Sequence, residues 1–174
     1  MTEEQILAFE ERVERSFANV PYPGDDNIVY NNVAYDPECK DILGTFRSRT
    51  WRSISKEDVL RHKDSPPLFT PAAFRYYLPA YLIECAKHRL ELDVAPENLA
   101  SGLTPPRREA GSKWNFFWAR AQLFDAEQCR VIIEYLELTV DFVQKDWAGT
   151  GTVPTSLARL KQAIEWWRAR VVPA

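Results

Sequence analysis

The chain has 174 residues, 45% of them hydrophobic and 13% aromatic, and a formal net charge of −3. That is one domain's worth of chain, with enough apolar material for a core that needs neither a disulfide framework nor a structural metal. Mild acidity, with basic spots only at Arg47/Arg49/Arg52 and Arg107-Arg108, argues against a nucleic-acid face and a polybasic membrane anchor.

Met1-Thr2-Glu3-Glu4-Gln5 is acidic, unlike a secretory signal. Thr2 with Gln5 spells a capping box and predicts a helix over 2–18, with Ile6, Phe9, Val13 and Phe17 facing the core. Pro21, Pro23-Gly24 and Asp25-Asp26-Asn27 are turn chemistry. Ile28-Val29-Tyr30 fits a short extended piece. Asp36-Pro37 reads as an N-cap with proline at the first helical position, opening a short helix with Cys39, Ile42, Leu43 and Phe46 on its apolar face. Ser55 with Asp58 starts another helix. Ser65-Pro66-Pro67 breaks the chain, and Thr70-Pro71 repeats the cap-plus-proline device. The helix that follows carries Phe74, Leu78, Leu82 and Cys85 on one face. Pro79 removes one of its hydrogen bonds and crowds the Arg75 carbonyl. At ~3 kcal/mol in a straight helix, this predicts a kink or break beside Arg75, Tyr76 and Tyr77.

Residues 93–112 read as irregular, with one helical turn near 97–100. The aromatic run 114–118 fits either a helical turn or an extended piece. Asp125 caps the longest helix, 126–147. One stripe of it is Cys129, Ile132, Ile133, Leu136, Val140, Val143 and Trp147, and a second is Val131, Tyr135, Leu138 and Phe142. Two stripes mean packing from two sides, so this helix is expected at the centre. Gly149-Thr150-Gly151 is a connector. Thr155 or Ser156 caps the last helix, which buries Leu157, Leu160, Ile164, Trp167 and Val171. The expected fold is mainly α: one irregular bundle over residues 1–174, of about six to seven helices, with long proline-rich connections and at most a short extended segment. No run reaches the ~20 apolar residues of a membrane span. Cys39, Cys85 and Cys129, an odd number on apolar faces, read as buried thiols in a reducing, cytoplasmic setting.

Chemistry-bearing motifs are scarce. Glu84 and His88 stand four apart on one helix but lack the further ligands a zinc site needs. Neither a Walker loop, a dinucleotide-binding glycine motif nor a nucleophile elbow occurs. No cofactor, metal or catalytic residue is therefore assigned. Asp25-Asp26 suits either a turn or a cation, and the turn explains it more simply. What remains is aromatic: Trp51, Tyr76 and Tyr77 with Arg75, and Trp166 beside Arg170. Trp, Tyr and Arg dominate protein–protein hot spots, whereas core packing accounts for aromatics in most small helical domains.

The stretch Thr70-Pro71-Ala72-Ala73-Phe74-Arg75-Tyr76-Tyr77-Leu78-Pro79-Ala80-Tyr81-Leu82 resembles the signature of a bacterial family of small uncharacterised proteins. Supporting pieces are Pro23-Gly24-Asp25-Asp26, Trp51 after a short helix, the Leu68-Phe69-Thr70-Pro71 approach and Leu123-Phe124-Asp125-Ala126-Glu127-Gln128. Together they span roughly residues 20–145. Being a domain of unknown function, the family implies no activity, cofactor or catalytic residue.

The leading expectation is a non-catalytic protein-binding module, of toxin-neutralising (immunity) or adaptor type, using Arg75, Tyr76, Tyr77, Trp51, Asp25 and Asp26. One alternative is a small-ligand binder or enzyme with a pocket near Arg75 and Asp25, Asp26 or His62 as acid–base groups. Another is a homodimer whose interface consumes these aromatics.

Overall fold

The computed structural model describes residues 2–30, 35–148 and 154–171. Within them eight α-helices follow one another: α1 (Glu3–Phe17), α2 (Pro37–Phe46), α3 (Lys56–Arg61), α4 (Pro71–Lys87), α5 (Ala95–Gly102), α6 (Gly111–Ala121), α7 (Ala126–Asp146) and α8 (Thr155–Val171). Single 3-10 turns lie at Asp25–Asn27, Trp51–Ser53 and Pro66–Leu68. The mainly α expectation holds. The extended piece reduces to one isolated antiparallel bridge, Val29 to Phe69.

Local chemistry sets most helix starts. Thr2/Gln5, Ser55/Asp58 and Asp125/Gln128 form reciprocal capping boxes. The Asp36 and Thr70 side chains accept from the backbone just ahead of Pro37 and Pro71. Three expectations are resolved or corrected at this level. The run 114–118 lies inside the 11-residue helix α6, and the turn at 97–100 is the eight-residue α5. Thr155 and Ser156 are the first two helical residues of α8, so neither is its cap. The Gly149-Thr150-Gly151 connector falls outside the described residues.

The centre of the bundle is α4, not α7. Of its 17 residues, twelve are buried, and it packs against α1, α3, α5, α6, α7 and the Trp51–Ser53 turn. Burial on every side explains why it runs unbroken through Pro79: the packing outweighs the ~3 kcal/mol cost of the missing bond. α7 packs most extensively on α8. Its second stripe is only half-buried at Leu138 and Phe142, and Trp147 at its end is 46% exposed.

Helix ends leave carbonyls without partners, and buried aromatics satisfy several of them. Tyr77 Oη donates to Phe46 O at 2.6 Å, at the end of α2. Tyr81 Oη donates to His62 O at 3.0 Å, at the end of α3, and Trp167 Nε1 to Leu103 O at 2.8 Å, after α5. Each donor thereby ties the end of a neighbouring helix to its own helix. No described helix is long and apolar enough to cross a membrane.

All three cysteines are buried and in no disulfide, and burial pushes the Cys85 thiol up to about 12. A thiol reagent at pH 8 should therefore leave the native protein unlabelled and label all three once denaturant unfolds it. Stoichiometric labelling under native conditions contradicts this packing.

Candidate functional site

The residues nominated from sequence separate into two structural ties. In the first, the Asp25 carboxylate accepts from the Tyr22 hydroxyl, from Ser48 N–H at 2.9 Å and from Ser48 Oγ at 2.9 Å. Ser48 sits at φ 55°, a left-handed conformation costly for a residue with a Cβ, and Asp25 is what holds it. The Tyr22 ring meets Tyr76 edge-on at 5.3 Å, and Tyr76 meets Tyr77 at 4.9 Å. Asp25, Tyr76 and Tyr77 thus belong to one assembly that locks the loop before α2 and the turn after it onto α4. Asp26 is exposed, 3.6 Å from the Arg47 guanidinium.

Burial corrects the expectation of an exposed aromatic surface. Tyr76 is 6% exposed, Tyr77 0% and Trp51 3%. Core packing accounts for all three: α4 has no solvent face at Tyr76 and Tyr77, and the turn that carries Trp51 packs on α4. Arg75 turns away from them. Its Nε donates to Gln128 Oε1 at 3.0 Å and its Nη2 lies 3.7 Å from Asp125. Gln128 Nε2 in turn donates to Ser16 O at 3.0 Å. Arg75 therefore ties α4 to the cap of α7 and the end of α1. His62 is 2% exposed, bonded to Thr45 Oγ1 at 2.7 Å, and desolvation holds its pKa below the usual value.

The Tyr22 and Ser48 bonds hold the Asp25 carboxyl below its ordinary 3.8. A depressed folded pKa gives stability that is present above the unfolded value and lost as pH falls through the folded one. Asp25→Asn should thus be less stable than wild type at pH 7 and indistinguishable from it near about pH 2. Parallel chemical denaturation curves at the two pH values check this, and a gap of equal size at both contradicts it.

Sequence reasoning missed Arg120. Its residue is 5% exposed, on α6, with Nη2 donating to Pro67 O and to Phe69 O, both at 2.8 Å. Its guanidinium carbon lies 3.9 Å from the Phe116 ring centroid and 4.7 Å from that of Phe74. No carboxylate pairs with it among the described residues, and its buried Nε has no hydrogen-bond acceptor there. Desolvation pulls its pKa down to about 10, with Tyr30 acting against the shift, so the group stays charged at neutral pH. The Tyr30 ring stands 6.1 Å from Phe116. A readable signal existed: with 111–121 taken as helical, Arg120 falls at i+4 from Phe116 and i+3 from Phe117, a cation inside an apolar stripe.

Arg120 lines a cleft of ≈ 350 Å³ between the Pro66–Leu68 turn, α4, α5 and α6. Its walls are largely apolar: Pro66, Pro67, Leu99, Pro106, Phe116 and Phe117. Lys113 and Asp64 are exposed on the lining, and Asp64 accepts from Asn98 Nδ2 at 2.6 Å. A small apolar pocket with one desolvated cation is an arrangement for holding an anion that carries an apolar body. No group of three or more His, Cys, Asp or Glu among the described residues is placed to hold a metal.

A model of a family of unknown function, DUF6714, matches residues 29–171. No curated protein and no solved structure matches the chain.

Proposed function

The chain belongs to the DUF6714 family of unknown function, and from its own geometry we propose that it is a non-catalytic binding protein that seats a small anionic ligand at Arg120. The observation that carries the reading is a buried arginine, without a carboxylate partner among the described residues, lining an apolar cleft. Burying a cation costs several kcal/mol unless it is compensated. Two backbone carbonyls, the Phe116 and Phe74 rings and the Tyr30 side chain offset part of that cost, and an entering anion adds to that compensation. Asp64, the acid on the lining, is held by Asn98, so the cleft suits holding more than transforming. A protein-binding role of toxin-neutralising or adaptor type on the Arg75 face has less support, because Tyr76, Tyr77 and Trp51 are interior.

Thermal-shift screening against small organic carboxylates, sulfonates and phosphates tests the reading. Anions that raise the melting temperature of the wild type should lose that effect in Phe116→Ala and in Lys113→Ala, both exposed positions. A screen without stabilisers, or stabilisers indifferent to both changes, counts against it.

A further inference from the structure

We infer that the ligand of this cleft is a monocarboxylate on a compact, ring-bearing apolar body, an inference that rests on the Arg120 site being an anion site. Charge comes first. The lining holds two cations, Arg120 and Lys113, and one carboxylate, Asp64. Its formal charge is therefore +1, and the buried part of it is Arg120 alone. A monoanion neutralises that guanidinium, whereas a dianion leaves excess negative charge between apolar walls, where desolvation is costly.

Donor supply points the same way. Thr104 Oγ1 donates to Ala100 O at 2.8 Å, and Asn98 Nδ2 is engaged by Asp64. Arg120 Nη2 is committed to two carbonyls. The donors left on the lining are the remainder of the Arg120 guanidinium, which the Tyr30 side chain also engages, Lys113 Nζ and the Ser101 hydroxyl. A phosphoryl group has three terminal oxygens to satisfy and usually draws on a nest of N–H groups or several cations. A carboxylate needs fewer donors.

The walls select the body. Phe116 and Phe117 on one helix, and Pro66, Pro67 and Pro106 on the connections, present flat apolar faces, which stack on rings better than on branched chains. A volume of ≈ 350 Å³ lies at the small end of ligand pockets, enough for one or two rings. Lys113, exposed in the first turn of α6, steers the anion inward.

Calorimetric titration of the full chain at pH 7 tests this with 3-phenylpropionate, 3-phenylpropanamide, hexanoate, phenylphosphonate and inorganic phosphate. The ring acid should bind saturably, with the amide and hexanoate each about tenfold or more weaker and phosphate undetected. Phe116→Ala should weaken the ring acid about tenfold, and Lys113→Ala should both weaken it and reduce its salt dependence. Tighter binding of phenylphosphonate or phosphate, or equal binding of hexanoate, overturns the ligand class while leaving an anion site, provided Lys113→Ala and Phe116→Ala weaken it. Absence of saturable binding for every probe, or binding untouched by both substitutions, overturns the anion site as well.

Discussion

Tyr77→Ala is expected to lower the unfolding free energy by roughly 3–5 kcal/mol, the cost of deleting a large aromatic from a closed core. The position is fully buried, and its ring packs on Phe46 at 4.8 Å, Phe69 at 5.7 Å and Tyr76 at 4.9 Å. Tyr77→Phe keeps the ring and removes only the hydroxyl. It should cost about 1–2 kcal/mol, because the Phe46 carbonyl loses its 2.6 Å donor in a dry interior. Chemical denaturation of the two variants separates the contributions. A cost below about 1 kcal/mol for Tyr77→Ala fits an exposed partner-binding residue and contradicts the structural role given to it here.

Arg120→Met carries the second large effect, on binding. Losing the desolvated partner of an anion typically costs 2–5 kcal/mol, so affinity for the anionic ligand should fall about thirtyfold or more. Stability should move much less, because two terms oppose each other. Removing Arg120 strips the donor from Pro67 O and Phe69 O, at about 1–3 kcal/mol each where buried. It also relieves a buried charge that no carboxylate neutralises among the described residues, worth several kcal/mol in the opposite direction. The variant should therefore fold, with unfolding free energy within about 2 kcal/mol of wild type. Arg120→Lys should not restore binding, since an ammonium cannot serve two carbonyls and a ligand with the planar geometry of a guanidinium. Retained affinity in Arg120→Met contradicts the site.

What the sequence made legible was local. Thr2/Gln5, Asp36-Pro37, Ser55/Asp58, Thr70-Pro71 and Asp125/Gln128 each announce a helix start, because a cap needs only residues within four positions. The central position of α4 was hidden because a helix buried on every side has no polar stripe, so periodicity says nothing about it. Helix α6 was hidden because exposed Phe116 and half-buried Trp114 and Trp118 blur its face. There, Trp114 and Trp118 stack at 5.7 Å, and Arg170 lies 4.7 Å from the Trp118 ring and 5.1 Å from Trp166.

The stretch around Arg75 misled for a related reason. Arg, Tyr and Tyr in sequence look like a recognition cluster, yet each side chain is consumed by a different long-range tie: Gln128 for Arg75, Tyr22 for Tyr76 and Phe46 O for Tyr77. Separations of 31 and 53 residues for the two hydrogen bonds put those partners beyond any local pattern. Arg120 escaped notice because its meaning depends on α4, α5 and the Pro66–Leu68 turn closing around it.

The most direct measurement is the arginine Nε–Hε region of a ¹⁵N correlation spectrum during titration with 3-phenylpropionate. The Arg120 Nε–Hε resonance should move and saturate with the ligand, because the carboxylate binds against its guanidinium on the cleft lining. Arg75, whose Nε already donates to Gln128, should stay still. A moving Arg75 resonance beside a static Arg120 resonance contradicts an anion site at Arg120 and returns the site to the α4 stretch.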